Sequence, residues 1–443
     1  MKKQLLLLAL WVLTLTARAQ CPVGNVTLTS QAQVDAFATT YPTCTAISGN
    51  LFISGATTVN LDGLSGLTSI SGNLSIQSSS LTSLAGLSSL TSLGGNLSIS
   101  SNGTLANLNA LSGLTSIPGF LLIQNNAALT SLNGLHNVTS LGGYLYISSN
   151  GALTTLNGLS GLTSIGGELT ISSNGSLTSL TGLANLTSLG ENLLIGSNGA
   201  LTTLDGLSGL TSIPGYLLLQ NNNSLTSLSG LNNLTSLGDY LFIGGNGALT
   251  SVEALSGLTS IPGYLLLQNN SSLTSLNGLH NVTSLGDYLY IGSNGALTTL
   301  NGLSSLTSIG GYLLLQSNTS LTSLVGLSNL TSLGDYLSIG SNGALTTLDG
   351  LSGLTSIPGY LLLQSNSSLT SLSGLNNLTS LGDYLFIGGN GALTSVEALS
   401  GLTSIPGYLY IQSNGSLTSL NGLHNVASLG RYLYIDNNGV LAP

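Results

Sequence analysis

The side chains able to do chemistry are few, and they recur at fixed intervals. His136, His280 and His424 are evenly spaced. On a stacked repeat of about 24 residues per turn their interval is six turns, roughly 29 Å at the strand spacing of a sheet, so the three cannot share a zinc ion. The acids follow the same rule: Glu191, Asp239, Asp287, Asp335 and Asp383 come once every two turns, and Asp205 with Glu253 and Asp349 with Glu397 keep the same interval. Neighbours in such a column lie roughly 9 to 10 Å apart, outside the close oxygen shell that calcium requires. Catalysis needs convergent groups in a perturbed environment, yet every carboxylate beyond Asp62 except Glu168 and Asp436 recurs in register. The expectation is a protein that is not an enzyme, with no catalytic residue, no metal site and no cofactor. The acids read instead as charges that discourage sideways association of a nearly uncharged sheet.

Only 4% of the 443 residues are charged, against about 25% in a typical soluble domain, so hydroxyls, amides and backbone must form the solvated surface. The cations are Lys2, Lys3, Arg18 and Arg431, facing 13 acids. No basic patch exists to hold nucleic acid or an anionic membrane. Lys2 and Lys3 precede the apolar stretch Leu5 to Leu15, and Ala17-Arg18-Ala19 places small residues before Gln20, which is the pattern of a secretory signal over 1–19. The apolar run is shorter than the roughly 18 to 20 residues that cross a bilayer, so no transmembrane span is expected. Cys21 and Cys44 are the two cysteines of a chain that leaves the reducing cytosol, which predicts a disulfide between them. Ser30 and Gln33 between them can form a capping box for a short helix carrying Val34, Ala36, Phe37 and Tyr41. Residues 20–48 thus read as a stapled N-terminal cap.

From there the chain repeats. Thr-Ser-Ile or Thr-Ser-Leu ends at Ile70, Leu93, Ile117, Leu141 and onward to Ile405, a regular step of about 24 residues, within the range of solenoid repeats. The step from Ile70 to Leu93 is one shorter. Ile and Leu alternate, giving a unit of two turns, and residues 200–265 recur almost unchanged at 344–409. Within one turn, Leu217, Leu219, Leu225, Leu228, Leu231, Leu234 and Leu237 mark aliphatic columns that a single turn cannot bury but stacked turns can. Alternation through Tyr216 to Gln220 makes a short strand with Leu217 and Leu219 inward. An asparagine returns once per turn from Asn102 to Asn438, as a ladder that satisfies the backbone where each turn leaves its strand. The predicted fold over 49–443 is an all-β-rich repeat solenoid, a parallel β-helix of leucine-rich-repeat type with about 16 turns of about 24 residues. Its end at Asp436–Pro443 carries no polar cap, which leaves an edge either for a further segment or for end-to-end self-association.

The stretch Cys44-Thr-Ala-Ile-Ser-Gly-Asn-Leu-Phe-Ile53, with recurrent Gly-x-Leu-x-Ile-x-x-Asn and Leu-x-x-Leu-x-Gly-Leu-x-x-Leu, resembles the receptor L domain family over about residues 44–438. The resemblance implies a right-handed leucine-rich solenoid, of the kind found in receptor ectodomains and bacterial surface proteins, serving as a secreted or cell-surface recognition scaffold. The cysteine-rich modules that flank paired family members are absent here, so growth-factor binding does not carry over.

One outward column holds Phe120, Tyr144, Tyr216, Tyr240, Tyr264, Tyr288, Tyr312, Tyr336, Tyr360, Tyr384, Tyr408 and Tyr432, interrupted by Glu168 and Asn192. Two residues along runs a second column that includes Leu218, Phe242, Leu266, Tyr290, Phe386 and Tyr410. An aromatic stripe of this length is seldom left bare, and tyrosine joins a large ring to a hydroxyl at small entropic cost. The expected function is a secreted or cell-surface binding or adhesion scaffold whose Tyr-rich face, centred on Tyr216 to Tyr408, recognises an extended extracellular protein or polysaccharide. Stacked rungs that merely stiffen the solenoid are the plainer reading. The alternative function is a structural or ice-interacting surface protein using the regular threonine ranks, Thr91 to Thr403 and Thr130 to Thr418.

Overall fold

The computed structural model describes residues 20–439 and 441; the segment over 1–19, read above as a secretory signal, lies outside them. The chain enters through a strand, Val26–Leu28, and a helix, Gln31–Thr40. Ser30 caps that helix by accepting from the Gln33 N–H. The reciprocal half of the capping box does not form, because Gln33 Oε1 reaches one residue further back and accepts from Thr29 N at 2.6 Å. Val34 and Phe37 bury the inner face of the helix against the first turn. The Cys21–Cys44 disulfide closes the segment, with Cα atoms 4.7 Å apart.

Beyond this segment, each turn gives a four-residue strand and, in most turns, a two-residue strand and a three-residue 3-10 helix, as in Ser260–Ile261, Leu265–Gln268 and Asn277–Leu279; at Ile117 the short strand is reduced to a single bridge with Leu141. The four-residue strands join Val26–Leu28 in one parallel sheet of 18 strands. Identical columns lie opposite one another, for example Leu241 with Leu265 and Phe242 with Leu266. Sequence and register agree for a simple reason: sliding a strand by one residue would turn all its leucines to solvent. Ile47 pairs with Ile70 and Ile70 with Leu93, so two early turns, where the motif spacing marks only one, are a residue shorter than those that follow.

The aliphatic columns fill the interior almost without exposure, while the ladder asparagines from Asn102 to Asn414 are fully buried beside them. Each ladder asparagine does two jobs. Asn270 Nδ2 donates to the Ile243 carbonyl at 3.0 Å, and its Oδ1 accepts from the Asn246 N–H at 3.1 Å. The residue before it takes a left-handed backbone, φ 56° at Asn269 and 55° at Ser293, which bends the chain out of the strand. No buried side-chain nitrogen or oxygen among the described residues is left without a partner.

On the 3-10 side the turns approach so closely that Gly302 could not carry a Cβ without overlapping the Leu276 carbonyl of the turn beneath. Gly302→Ala is therefore expected to force the two backbones apart at a cost of about 1–3 kcal/mol, read as a lowered urea midpoint with the circular dichroism spectrum retained. Alanine does stand in this column at Ala110, Ala254 and Ala398. Beneath the last two the 3-10 helix is missing, and a left-handed glycine, Gly230 at φ 99° or Gly374 at φ 98°, takes its place.

Candidate functional site

In-register parallel pairing sets identical side chains one strand spacing apart, about 4.8 Å, which is close to the spacing at which offset aromatic rings attract. Tyr216, Tyr240, Tyr264, Tyr288, Tyr312, Tyr336, Tyr360, Tyr384 and Tyr408 use it to form an unbroken stack. Successive ring centroids are 4.3–4.5 Å apart and successive planes within 11° of parallel. Tyr432 continues the stack at 5.6 Å, and Phe120 with Tyr144 forms a separate pair. The residues singled out in the sequence thus come together, but each ring face is covered by the next ring. What the ladder turns outward is a row of ring edges and hydroxyls.

Partial burial of these rings disfavours the phenolate. It pushes Tyr216, Tyr288, Tyr312, Tyr336, Tyr360 and Tyr384 up to about 12, with the charge of a neighbouring group adding to the effect. Tyr240 and Tyr264 are raised for the same first reason. At physiological pH the hydroxyl row is neutral and can both donate and accept.

The break in the ladder is a polar contact that the sequence alone did not reveal. Glu168 occupies the ring position, accepts from Thr170 Oγ1 within its own strand, and accepts from Asn192 Nδ2 at 3.1 Å and from the Tyr216 hydroxyl at 3.5 Å. Its signals in the sequence were that Glu168 and Asn192 interrupt the tyrosine column and that Glu168 is one of the few acids without a counterpart in another turn.

The second outward column is half-buried at Leu218, Phe242, Leu266, Tyr290 and Phe386. The acids beside the ladder lean along the solenoid, so that a Cβ on Gly263 would lie 2.5 Å from Asp239 Oδ1 and one on Gly311 2.7 Å from Asp287 Oδ1. No group of three or more potential metal ligands occurs among the described residues. The histidines stay apart, each holding Nδ1 against a carbonyl of its own 3-10 turn, as His280 does with Asn277. The threonine ranks are exposed, but many of their hydroxyls are spent: Thr235 Oγ1 donates to the Thr211 carbonyl at 3.0 Å and Thr274 Oγ1 to that of Thr250 at 3.2 Å.

A solenoid with a long parallel sheet and leucine columns is a leucine-rich-repeat architecture. The model of the BspA-type leucine-rich repeat region matches three overlapping stretches, 149–274, 196–322 and 316–440; the chain belongs to this family. The receptor L domain model matches residues 43–96. No curated protein matches the sequence. Among solved structures, the chain is similar to TLR13 in its complex with ssRNA13, at 18% identity and a TM-score of 0.33, over 94% of this chain and 62% of that one. It thus spans less than two thirds of that protein's length. It is also similar to a leucine-rich repeat protein from Bacteroides ovatus, at 16% identity and a TM-score of 0.24, over 72% and 78% of the two chains. Leucine-rich repeat proteins of this kind generally act as binding scaffolds. No helix among the described residues is long and apolar enough to cross a membrane.

Proposed function

We propose that this chain is an exported, non-catalytic binding or adhesion scaffold, a right-handed parallel coil of about sixteen turns behind a capping segment over 20–48. Its contact surface is the outward face of the sheet, and the partner is extended, matching the length of that face. The observation that carries this reading is the unbroken stack from Tyr216 to Tyr408, flanked by a half-buried apolar column. Packing accounts for the stacking, and hydroxyls on the rim add donors and acceptors that phenylalanine edges would lack. The segment 1–19 is read as the export signal, and the disulfide suits an oxidising compartment. Arg431 is the one cation among the described residues, which disfavours nucleic acid as the partner. The threonine ranks support an ice-interacting role less well, because hydroxyls tied to backbone carbonyls cannot donate to a lattice.

The test replaces Tyr264, Tyr288, Tyr312 and Tyr336 by phenylalanine, which keeps the stack and deletes only hydroxyls. In a screen of glycan arrays and whole cells, the parent chain is expected to bind. The variant should lose about 0.5–1.5 kcal/mol for each hydroxyl that had bonded the partner. Binding that is indifferent to the four substitutions would leave the ladder with a purely structural role.

A further inference from the structure

From Leu218 to Phe386 the column beside the tyrosine ladder alternates with a period of two turns; Leu194 before Gly196 and Tyr410 before Gln412 lie outside that pattern. In one kind of turn an aromatic is followed two residues later by glycine: Phe242 with Gly244, Tyr290 with Gly292, Phe386 with Gly388. In the other kind a leucine is followed by glutamine, as in Leu218 with Gln220 and Leu266 with Gln268. Residues two apart on a strand share a face, and the rings use the space the glycines leave. An ideal Cβ on Gly244 would lie 2.7 Å from Phe242 Cζ, one on Gly292 2.5 Å from Tyr290 Cζ, and one on Gly388 2.6 Å from Phe386 Cε1. Each ring therefore leans along its own strand, with its far end over the bare backbone of the glycine. The inner ladder rings are covered on both faces by their neighbours; Phe242 and Tyr290 have no ring of their own column in the adjacent turns of Leu218, Leu266 and Leu314.

We infer that this column binds an uncharged, extended β-1,4-linked glucan running along the solenoid axis, with sugar rings stacked on Phe242, Tyr290 and Phe386. The inference rests on the reading of the sheet face as a contact surface and assigns its ligand. The electron-rich face of an aromatic ring attracts the C–H bonds of a sugar's flat side. In a two-fold β-1,4-glucan each sugar is flipped relative to the last, so a given side recurs once every two sugars. That repeat is close to the two-turn spacing of the platforms, roughly 9.5 Å. Glucans that coil into helices do not keep a straight row of this kind. The intervening turns place Gln268, Gln316 and Gln364 in the same rank as the glycines, supplying amide donors and acceptors for sugar hydroxyls between platforms. The carboxylates of Asp239, Asp287 and Asp383 belong to the same turns as the three rings and can accept from those hydroxyls. With these acids and no lysine or arginine in these strands, the face repels polyanions and suits a neutral chain. Ser338 holds the aromatic position between Tyr290 and Phe386, so one place in the row has no platform.

The experiment measures depletion of the full chain onto microcrystalline cellulose and its calorimetric affinity for cellohexaose, with amylose and a β-1,3-glucan as comparators. One variant combines Phe242→Leu, Tyr290→Leu and Phe386→Leu, since leucine is the native residue of this column in the alternate turns. A second combines Gly244→Ser, Gly292→Ser and Gly388→Ser, which retains the rings but lifts them off the sheet, and decides the matter if the first does not fold. The parent is expected to bind cellulose and cellohexaose in preference to both comparators. Each folded variant should bind at least about tenfold more weakly. A parent that ignores cellulose, or binds amylose equally well, overturns the inference, as do variants that bind as tightly as the parent. If cellulose is ignored while cells are still bound through the Tyr264 to Tyr336 hydroxyls, the glucan assignment falls and the contact-surface reading stands. Loss of both sinks both.

Discussion

Asn270→Asp is expected to destabilise the solenoid more than any other single change of equal size, by about 3–5 kcal/mol at neutral pH. The native amide is fully buried and donates to the Ile243 carbonyl at 3.0 Å and to Asn294 Oδ1 at 3.3 Å. A carboxylate keeps the acceptor for the Asn246 N–H but turns a charged oxygen toward two other oxygens in a site without water. Asn270→Ala should cost less. It orphans the buried Asn246 N–H, worth about 1–3 kcal/mol when unpaired, and removes the second bond that the Ile243 carbonyl accepts in addition to its strand-ladder bond, but it adds no charge. The two variants separate further with pH. The introduced carboxyl takes up a proton more readily in the folded chain than in the unfolded one, where its pKa is about 4. Its folded pKa is raised, so the penalty grows as pH rises above about 4 and is relieved on acidification. Urea unfolding of both variants and the parent across this range, each compared at the same pH, checks the order. An aspartate variant no worse than alanine at neutral pH would mean that the ladder position is wet. Because neighbouring turns share this bond, the loss should also appear as faster amide exchange in the turns carrying Asn246 and Asn294 before global unfolding.

The tyrosine ladder makes a second large effect, at the alkaline end. Six of its phenols are pushed from the ordinary 10.0 to about 12 by burial, with neighbouring charge adding to it. Between those two values the unfolded chain loses phenolic protons that the folded chain keeps, so stability must fall as pH rises through that window. Below about 10 the same groups are protonated in both states and contribute no slope. The rings are also mutually dependent, since one phenolate penalises the ring next to it. Ionisation and loss of the sheet are therefore expected to coincide near the top of the window, seen as phenolate absorbance and far-ultraviolet circular dichroism changing in a single transition. The four-phenylalanine variant should show a shallower decline. Phenolate absorbance that develops fully near the ordinary tyrosine value with the sheet intact would show that the ladder hydroxyls are as free as those of an exposed tyrosine.

The aromatic face illustrates how far periodicity can be read. The residues that would align were legible, because a column returning once per turn in a parallel register has to stack. Their orientation was not. Ladder tyrosines and second-column rings are both aromatic and share the same strand parity, yet the first stand face to face and the second lean along the strand over a glycine. The difference is set by what each side chain meets: another tyrosine in the next turn for Tyr264, a bare glycine two residues along for Tyr290. The aromatic-x-Gly spacing was a sequence signal for the leaning rings, but it gains meaning only once the neighbouring turns are in place. Gln33 bonding Thr29 instead of Ser30, and the left-handed turns at Gly230 and Gly374, are local choices of the same kind.

The amino-acid order thus dictates that this chain coils, which leucines are buried, where the asparagine ladder runs and how the N-terminal segment is stapled. Each of these follows from a fixed interval, from the two-fold alternation of a strand or from there being only two cysteines. The tertiary structure alone decides which surfaces can bind. A ring face is free or covered, a threonine hydroxyl is available or spent, and Glu168 joins Asn192 one turn away and Tyr216 two turns away. The stacking of the ladder, the spent threonine hydroxyls and the Glu168 contacts all run between turns, and pattern within one turn carries no record of the distances and angles that those contacts impose.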